Sequence, residues 1–199
     1  MINSINSTCL PEKVYKKYTV SSDEKYIEIS DNSKFKEIVP FDMFDKIISD
    51  YLYIGYAYTN GFKVTDLVLD FISSYGMPDR KSKKVNIESF ADGAESLYLH
   101  FSEISENPYP ENPDWILETD PMSGIIKNEN GQIFLEWQTE SLLNAIEILY
   151  TILLTGENKK LGFCKHCGKP FFAKNPKSEF CSAPCRNKFN VYKCRSKKK

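Results

Sequence analysis

Four of the six cysteines fall into two close pairs, Cys164-x2-Cys167 and Cys181-x3-Cys185, with thirteen residues between the pairs. A CxxC turn lets two thiolates converge on one tetrahedral ion, and a second pair nearby completes the coordination of Zn2+. Gly168 follows the first pair, where a metal knuckle needs an open backbone. Ser182 is an expected N-cap, and Pro184 suits the first turn of a helix because it lacks an N–H. Cys185 then sits in that first turn, where the helix dipole favours a thiolate. The spacing therefore predicts one structural zinc ion held by Cys164, Cys167, Cys181 and Cys185. A catalytic zinc keeps an open position and a nearby base, but here four thiolates fill the shell and Glu179 is the sole acid from residue 159 onward. His166, inside the knuckle, is expected to be exposed and non-ligating. Cys194 reads as a spare thiol, and Cys9 has no visible partner.

No nucleophile–base pattern, phosphate loop or dinucleotide fingerprint is present elsewhere. His100, the other histidine, is expected on a helix at or near the surface. The expectation is thus a non-enzymatic protein with no catalytic residues and zinc as its cofactor. A metal-dependent nuclease would need a histidine or acid cluster beside the finger, which the sequence does not supply.

The net charge of −1 hides an asymmetry. Residues 159–199 hold 13 Lys and Arg against one acid, giving +12, while residues 1–158 hold 13 against 26 acids, giving −13. Four thiolates around one divalent ion carry −2, so the finger keeps about +10. Some lysines offset the cluster, but Lys193, Arg195 and Lys197–Lys199 run beyond it. Such a field attracts phosphate. Arg186, Asn187, Lys188, Lys193 and Arg195 are the candidate nucleic-acid contacts, with Asn190 as a further hydrogen-bonding group. The alternatives are docking of the basic segment onto the acidic body, simple solubility, or a zinc-stabilised protein–protein interaction module without nucleic-acid binding.

The elements that must carry this finger can be read from hydrophobic spacing. Residues 13–20 and 25–29 alternate around a Ser-Ser-Asp-Glu turn and predict a hairpin. Phe44, Ile47, Ile48 and Tyr51 predict a helix. A second helix starts at Thr65, taken as its N-cap, and stops at Gly76. RKSKK at 80–84 reads as a solvated loop. A third helix spans 94–104, and ENPYPENPD at 106–114 is a loop. WILET, GIIKN and QIFLEW read as strands, the last two meeting at Asn130-Gly131. Residues 141–155 form the clearest helix, ended by Gly156. Tyr51, Tyr53, Tyr56 and Tyr58 mark a surface for a protein partner or small-molecule effector of the N-terminal domain, or packing of core and rim. The finger is too small for its own core, and Phe163, Phe171, Phe172, Phe180 and Phe189 are expected to form a mini-core around the metal. The fold class is α+β: an acidic helix-and-hairpin domain over 1–158, then a basic four-cysteine treble-clef finger over 159–199. MINSINSTCL lacks a signal-peptide pattern and Leu142–Leu154 is too short to span a bilayer, so a cytoplasmic protein with no membrane partner is expected.

CKHCGKPFF, FCSAPCRNK and the basic helix beyond them resemble the CGNR-type zinc finger of bacterial proteins that carry an N-terminal ABATE domain. DFISSYG and the order hairpin, long helix, finger resemble that family's body. The name-giving Cys-Gly-Asn-Arg reads Cys185-Arg186-Asn187-Lys188 here. The resemblance implies a treble-clef fold, the same four cysteine ligands, contact with DNA rather than RNA, and a role in transcription regulation.

Overall fold

The computed structural model describes residues 14–15, 17–30, 35–36, 44–79, 81–106, 123–129, 131–138, 141–155, 160–173, 175 and 177–196. The chain is α+β. Two short strands, β1 (Val14–Tyr15) and β4 (Phe35–Lys36), pair antiparallel. Between them lie β2 (Tyr18–Val20) and β3 (Tyr26–Ile29), the expected hairpin, in register Tyr18↔Ile29. Its turn is closed by Asp23, whose carboxylate accepts from Ser21 Oγ and the Lys25 N–H.

Four helices build the body: α1 (Phe44–Thr59), α2 (Thr65–Tyr75), α3 (Ile87–Glu106) and α4 (Leu142–Thr155). Strand β5 (Lys84–Asn86) adds a third strand to the β2–β3 hairpin, with Ile27 opposite Val85. The RKSKK stretch is therefore not all solvated loop: Lys84 is already in the sheet, its ammonium 4.7 Å from the centre of the Tyr26 ring. Thr65 is the first helical residue of α2 rather than its N-cap. Val64 occupies the cap with no side-chain hydrogen bond, and the buried Thr65 joins the face that packs inward. The stripe Val68, Phe71, Ile72 and Tyr75 is buried as the spacing predicts. Helix α3 starts seven residues earlier than expected, because Ile87, Phe90 and Ala91 extend its buried stripe.

Helix α1 lies at the centre and packs against α2, α3 and α4. Its contact with α3 is a backbone-to-backbone approach at Gly55, where a Cβ would stand 2.1 Å from the Ala94 carbonyl oxygen. Helix α4 is capped by Ser141, whose Oγ accepts from the Leu143 N–H at 3.1 Å, and it buries Leu142, Ile146, Leu149 and Leu153. Strands β6 (Ser123–Glu129) and β7 (Gln132–Gln138) form the second expected hairpin, turning between Glu129 and Gln132. The expected 106–114 loop, the WILET strand and the Gly156 stop lie outside the described residues, apart from Glu106, which closes α3.

The C-terminal part has a two-stranded hairpin, β8 (Lys160–Phe163) and β9 (Pro170–Ala173), then helix α5 (Ala183–Ser196). Because side chains alternate along a strand, β9 faces two ways. Phe171 and Ala173 join Cys164 in a small cluster beside the thiols. Phe172 enters the core of the body, its ring centre 5.9 Å from that of Phe101 and 6.4 Å from that of Tyr150. Phe163 follows it, 5.2 Å from Phe101. The five phenylalanines are thus divided between two clusters, not gathered into one mini-core. Among the described residues, no helix is long and apolar enough to cross a membrane.

Candidate metal centre and basic helix

The first cysteine pair is positioned by the turn of the β8–β9 hairpin. The Gly168 N–H donates to the Cys164 carbonyl at 2.9 Å and the Cys164 N–H to the Lys169 carbonyl at 2.9 Å. Gly168 has φ +69°, a left-handed conformation that a side chain disfavours. The knuckle is therefore the hairpin's own turn. The second pair is set by the start of α5. The Ser182 Oγ accepts from the Cys185 N–H at 3.4 Å and its carbonyl from the Arg186 N–H at 3.2 Å. Ser182 is the cap, as expected, and Cys185 lies in the first turn.

All four sulfurs lie within 4.8 Å of one another. The Cys167–Cys181, Cys181–Cys185 and Cys185–Cys167 separations are 3.8, 3.6 and 3.8 Å. A tetrahedron with Zn–S of about 2.3 Å requires sulfur–sulfur edges of about 3.8 Å, so the cage fits zinc. Sulfurs this close repel one another as thiolates. Burial and the neighbouring Cys185, Cys164 and Cys167 sulfurs push the Cys181 thiol up to about 12, and burial also raises Cys167. Cys164 is the exception: burial opposes its thiolate, but backbone N–H groups of Cys181, Cys167 and His166 outweigh that and bring it down to about 6. A divalent cation among the sulfurs removes the conflict. Cys164, Cys167, Cys181 and Cys185 form a site for one structural zinc ion, with every tetrahedral position taken by sulfur.

His166 is outside the cage. Its half-exposed ring stacks on Tyr192 at 5.7 Å and 28°. Cys194 is a free thiol on the exposed surface of α5, and Cys9 lies outside the described residues. His100 is on α3, half-buried, with Nδ1 2.8 Å from the Tyr150 hydroxyl.

Helix α5 has no buried residue. It touches the finger along one line: Cys185 at the cage, Phe189 against Phe180 at 5.2 Å, and Tyr192 on His166. Arg186, Asn187, Lys188, Lys193 and Arg195 are all exposed on it. Among the described residues, none of its four cations has an acidic partner, and Glu179 pairs with Lys165 within the finger. The tyrosines near the joint take part in packing. Tyr51 is buried between Phe71 and Phe90. Tyr53 stacks on Tyr56 at 5.9 Å and carries the Lys169 ammonium 3.9 Å above its ring. Sequence reasoning missed that Phe163, Phe172 and Lys169 tie the finger to the body. The unbroken apolar run Pro170–Ala173 was the signal that two opposite faces of this strand are covered.

In comparisons with protein-family models, with curated proteins and with solved structures, nothing matches this chain.

Proposed function

We propose that this is a zinc-dependent nucleic-acid-binding protein whose C-terminal helix makes the contact, and that it acts in transcription regulation, without catalysis of its own. The observation that carries this reading is the state of Arg186, Lys188, Lys193 and Arg195. They are exposed, side by side on one helix, and free of acidic partners among the described residues. Had the basic charge served docking onto the acidic body, these cations would be expected to face its carboxylates. The finger meets the body instead through Phe163, Phe172 and the Lys169–Tyr53 contact. The resemblance of CKHCGKPFF and FCSAPCRNK to the CGNR-type finger supports a regulatory role on DNA.

The test is fluorescence anisotropy of the zinc-loaded protein with labelled duplex DNA across a salt series. Each phosphate neutralised on B-DNA contributes about −0.9 to the slope of log affinity against log salt. The four α5 cations alone therefore give about −3.6, or roughly a 150-fold loss between 50 and 200 mM salt. Alanine at all four should abolish most of that slope. Flat, weak binding to every nucleic acid would retire the reading, and a zinc-dependent protein partner recovered instead would make the finger an interaction module.

A further inference from the structure

The cations of α5 are not spread evenly around the helix. Its three inward contacts, through Cys185, Phe189 and Tyr192, define one face. At about 100° per residue, Asn187 and Cys194 stand on the directly opposite ridge, with Asn190 and Val191 beside them. All four are exposed. Arg186 and Lys193 lie about a quarter-turn to one side of that ridge, and Lys188 and Arg195 about a quarter-turn to the other. The outermost surface of the finger is therefore an uncharged ridge carrying two amides, walled on both sides by paired cations two turns apart. Lys177 extends the first wall, bordering the same cleft as Arg186 at the start of the helix.

A general counter-charge for solubility has no reason to leave the most exposed stripe neutral. Phosphate backbones on both sides of a groove do. The major groove of B-DNA is about 12 Å wide, which matches a helix of about 10–12 Å diameter, and no residue of α5 is buried. Asn187 to Cys194 spans about 10.5 Å at 1.5 Å per residue, close to three base pairs. Asparagine is the side chain that reads adenine through paired hydrogen bonds at N6 and N7.

This inference rests on the nucleic-acid reading above and sharpens it. We propose that α5 is a recognition helix for the major groove of duplex DNA, with Asn187 and Asn190 reading base edges. Arg186 and Lys193 hold one phosphate wall and Lys188 and Arg195 the other. Duplex RNA is excluded as the cognate polymer because its A-form major groove is too deep and narrow for side chains to read.

The zinc-loaded full chain would first be used to select preferred sequences from random duplexes. Anisotropy would then compare the selected duplex, a scrambled duplex, the matching RNA duplex and the single strand, with methyl green (major groove) and netropsin (minor groove) as competitors. The expected result is a preference for duplex DNA over RNA and single strand, competition by methyl green and indifference to netropsin. Asn187→Ala should lower the preference for selected over scrambled DNA by about 5- to 150-fold, the factor for one lost paired base contact, without changing the salt slope. Arg186→Ala with Arg195→Ala should weaken both duplexes equally and flatten the slope. Zinc content and circular dichroism of these surface variants confirm that they fold. Equal or tighter binding to RNA or single strands, competition by netropsin alone, or an Asn187→Ala loss shared by both duplexes would overturn the recognition-helix assignment while leaving nucleic-acid contact standing. No binding to any polymer would remove both.

Discussion

Phe172→Ala tests whether the finger and the body are one cooperative structure. The residue belongs to β9 of the finger hairpin, yet its side chain is 7% exposed within the core of the body. Truncating a buried phenylalanine costs about 3–5 kcal/mol through lost transfer energy and the cavity left behind. Its ring contacts, Phe101 at 5.9 Å and Tyr150 at 6.4 Å, lie in the range where aromatic pairs add to burial. A cost of about 4 kcal/mol is expected. With a urea m-value of about 2–3 kcal/mol/M, the unfolding midpoint of the zinc-loaded protein falls by about 1.3–2 M, read from the helical signal of α1–α4 by circular dichroism. Phe171→Ala is the comparison. It is equally buried but faces the thiol cluster, and should speed zinc loss to a chromophoric chelator as well as lower that midpoint.

The same measurement repeated after chelation completes the reasoning. Structural zinc is worth about 10–16 kcal/mol to a finger of this kind, so without it the hairpin unfolds and withdraws Phe163 and Phe172 together. Chelation should therefore lower the body's midpoint at least as far as Phe172→Ala does, and the substitution should then cost nothing further. That non-additivity is the signature of a shared contact. A Phe172→Ala protein whose body melts at the wild-type urea concentration would refute the coupling and make the finger an independent appendage.

Cys185→Ser should lower zinc stoichiometry well below one ion per chain by mass spectrometry, because a hydroxyl at the start of α5 replaces a thiolate in a closed four-sulfur cage. Gly55→Ala should lower the melting temperature: its Cβ would stand 2.1 Å from the Ala94 carbonyl oxygen, and an overpacking cost of about 1–3 kcal/mol exceeds the roughly 1 kcal/mol gained in helix propensity. Burial lowers the His100 pKa from 6.5, with Glu103 acting weakly the other way, so the unfolded chain binds this proton more readily and stability falls as pH drops through about 6.5. In urea melts between pH 7.5 and 5.5, His100→Gln beside Tyr150 should show a smaller drop in midpoint than wild type.

The metal site was legible because its instructions are local. Two turns and a helix cap are written in CKHCG and CSAPC, and a four-sulfur cage needs little beyond them. Helix α4 and the β6–β7 hairpin were legible for the same reason, through an unbroken apolar stripe and an Asn-Gly turn. What could not be read were choices between partners. Phe163 and Phe172 look identical to Phe171 in sequence, and nothing local says which core each joins. Lys84 resembles its basic neighbours, yet pairing of Val85 with Ile27 draws it into a sheet. Thr65 is chemically a good cap, but burial at the start of α2 claimed its side chain and left Val64 in the cap position.

The opposed charges of the two halves invite the idea that they attract and hold one another. The joint argues otherwise. It includes two phenylalanines, β9 against α1 and a lysine on a tyrosine ring. Exposed charges separated by more than about 8–10 Å are largely screened at physiological salt, and among the described residues no carboxylate pairs with a cation of α5. An apolar joint also keeps its strength when salt rises. The metal fixes the hairpin, the hairpin's Phe172 fixes the finger to the body, and the cationic helix is held outward whether or not its charges are satisfied. On the proposed reading, zinc then does more than fold the finger. It fixes the direction in which the helix is presented, so binding should be lost on chelation in step with the body's stability.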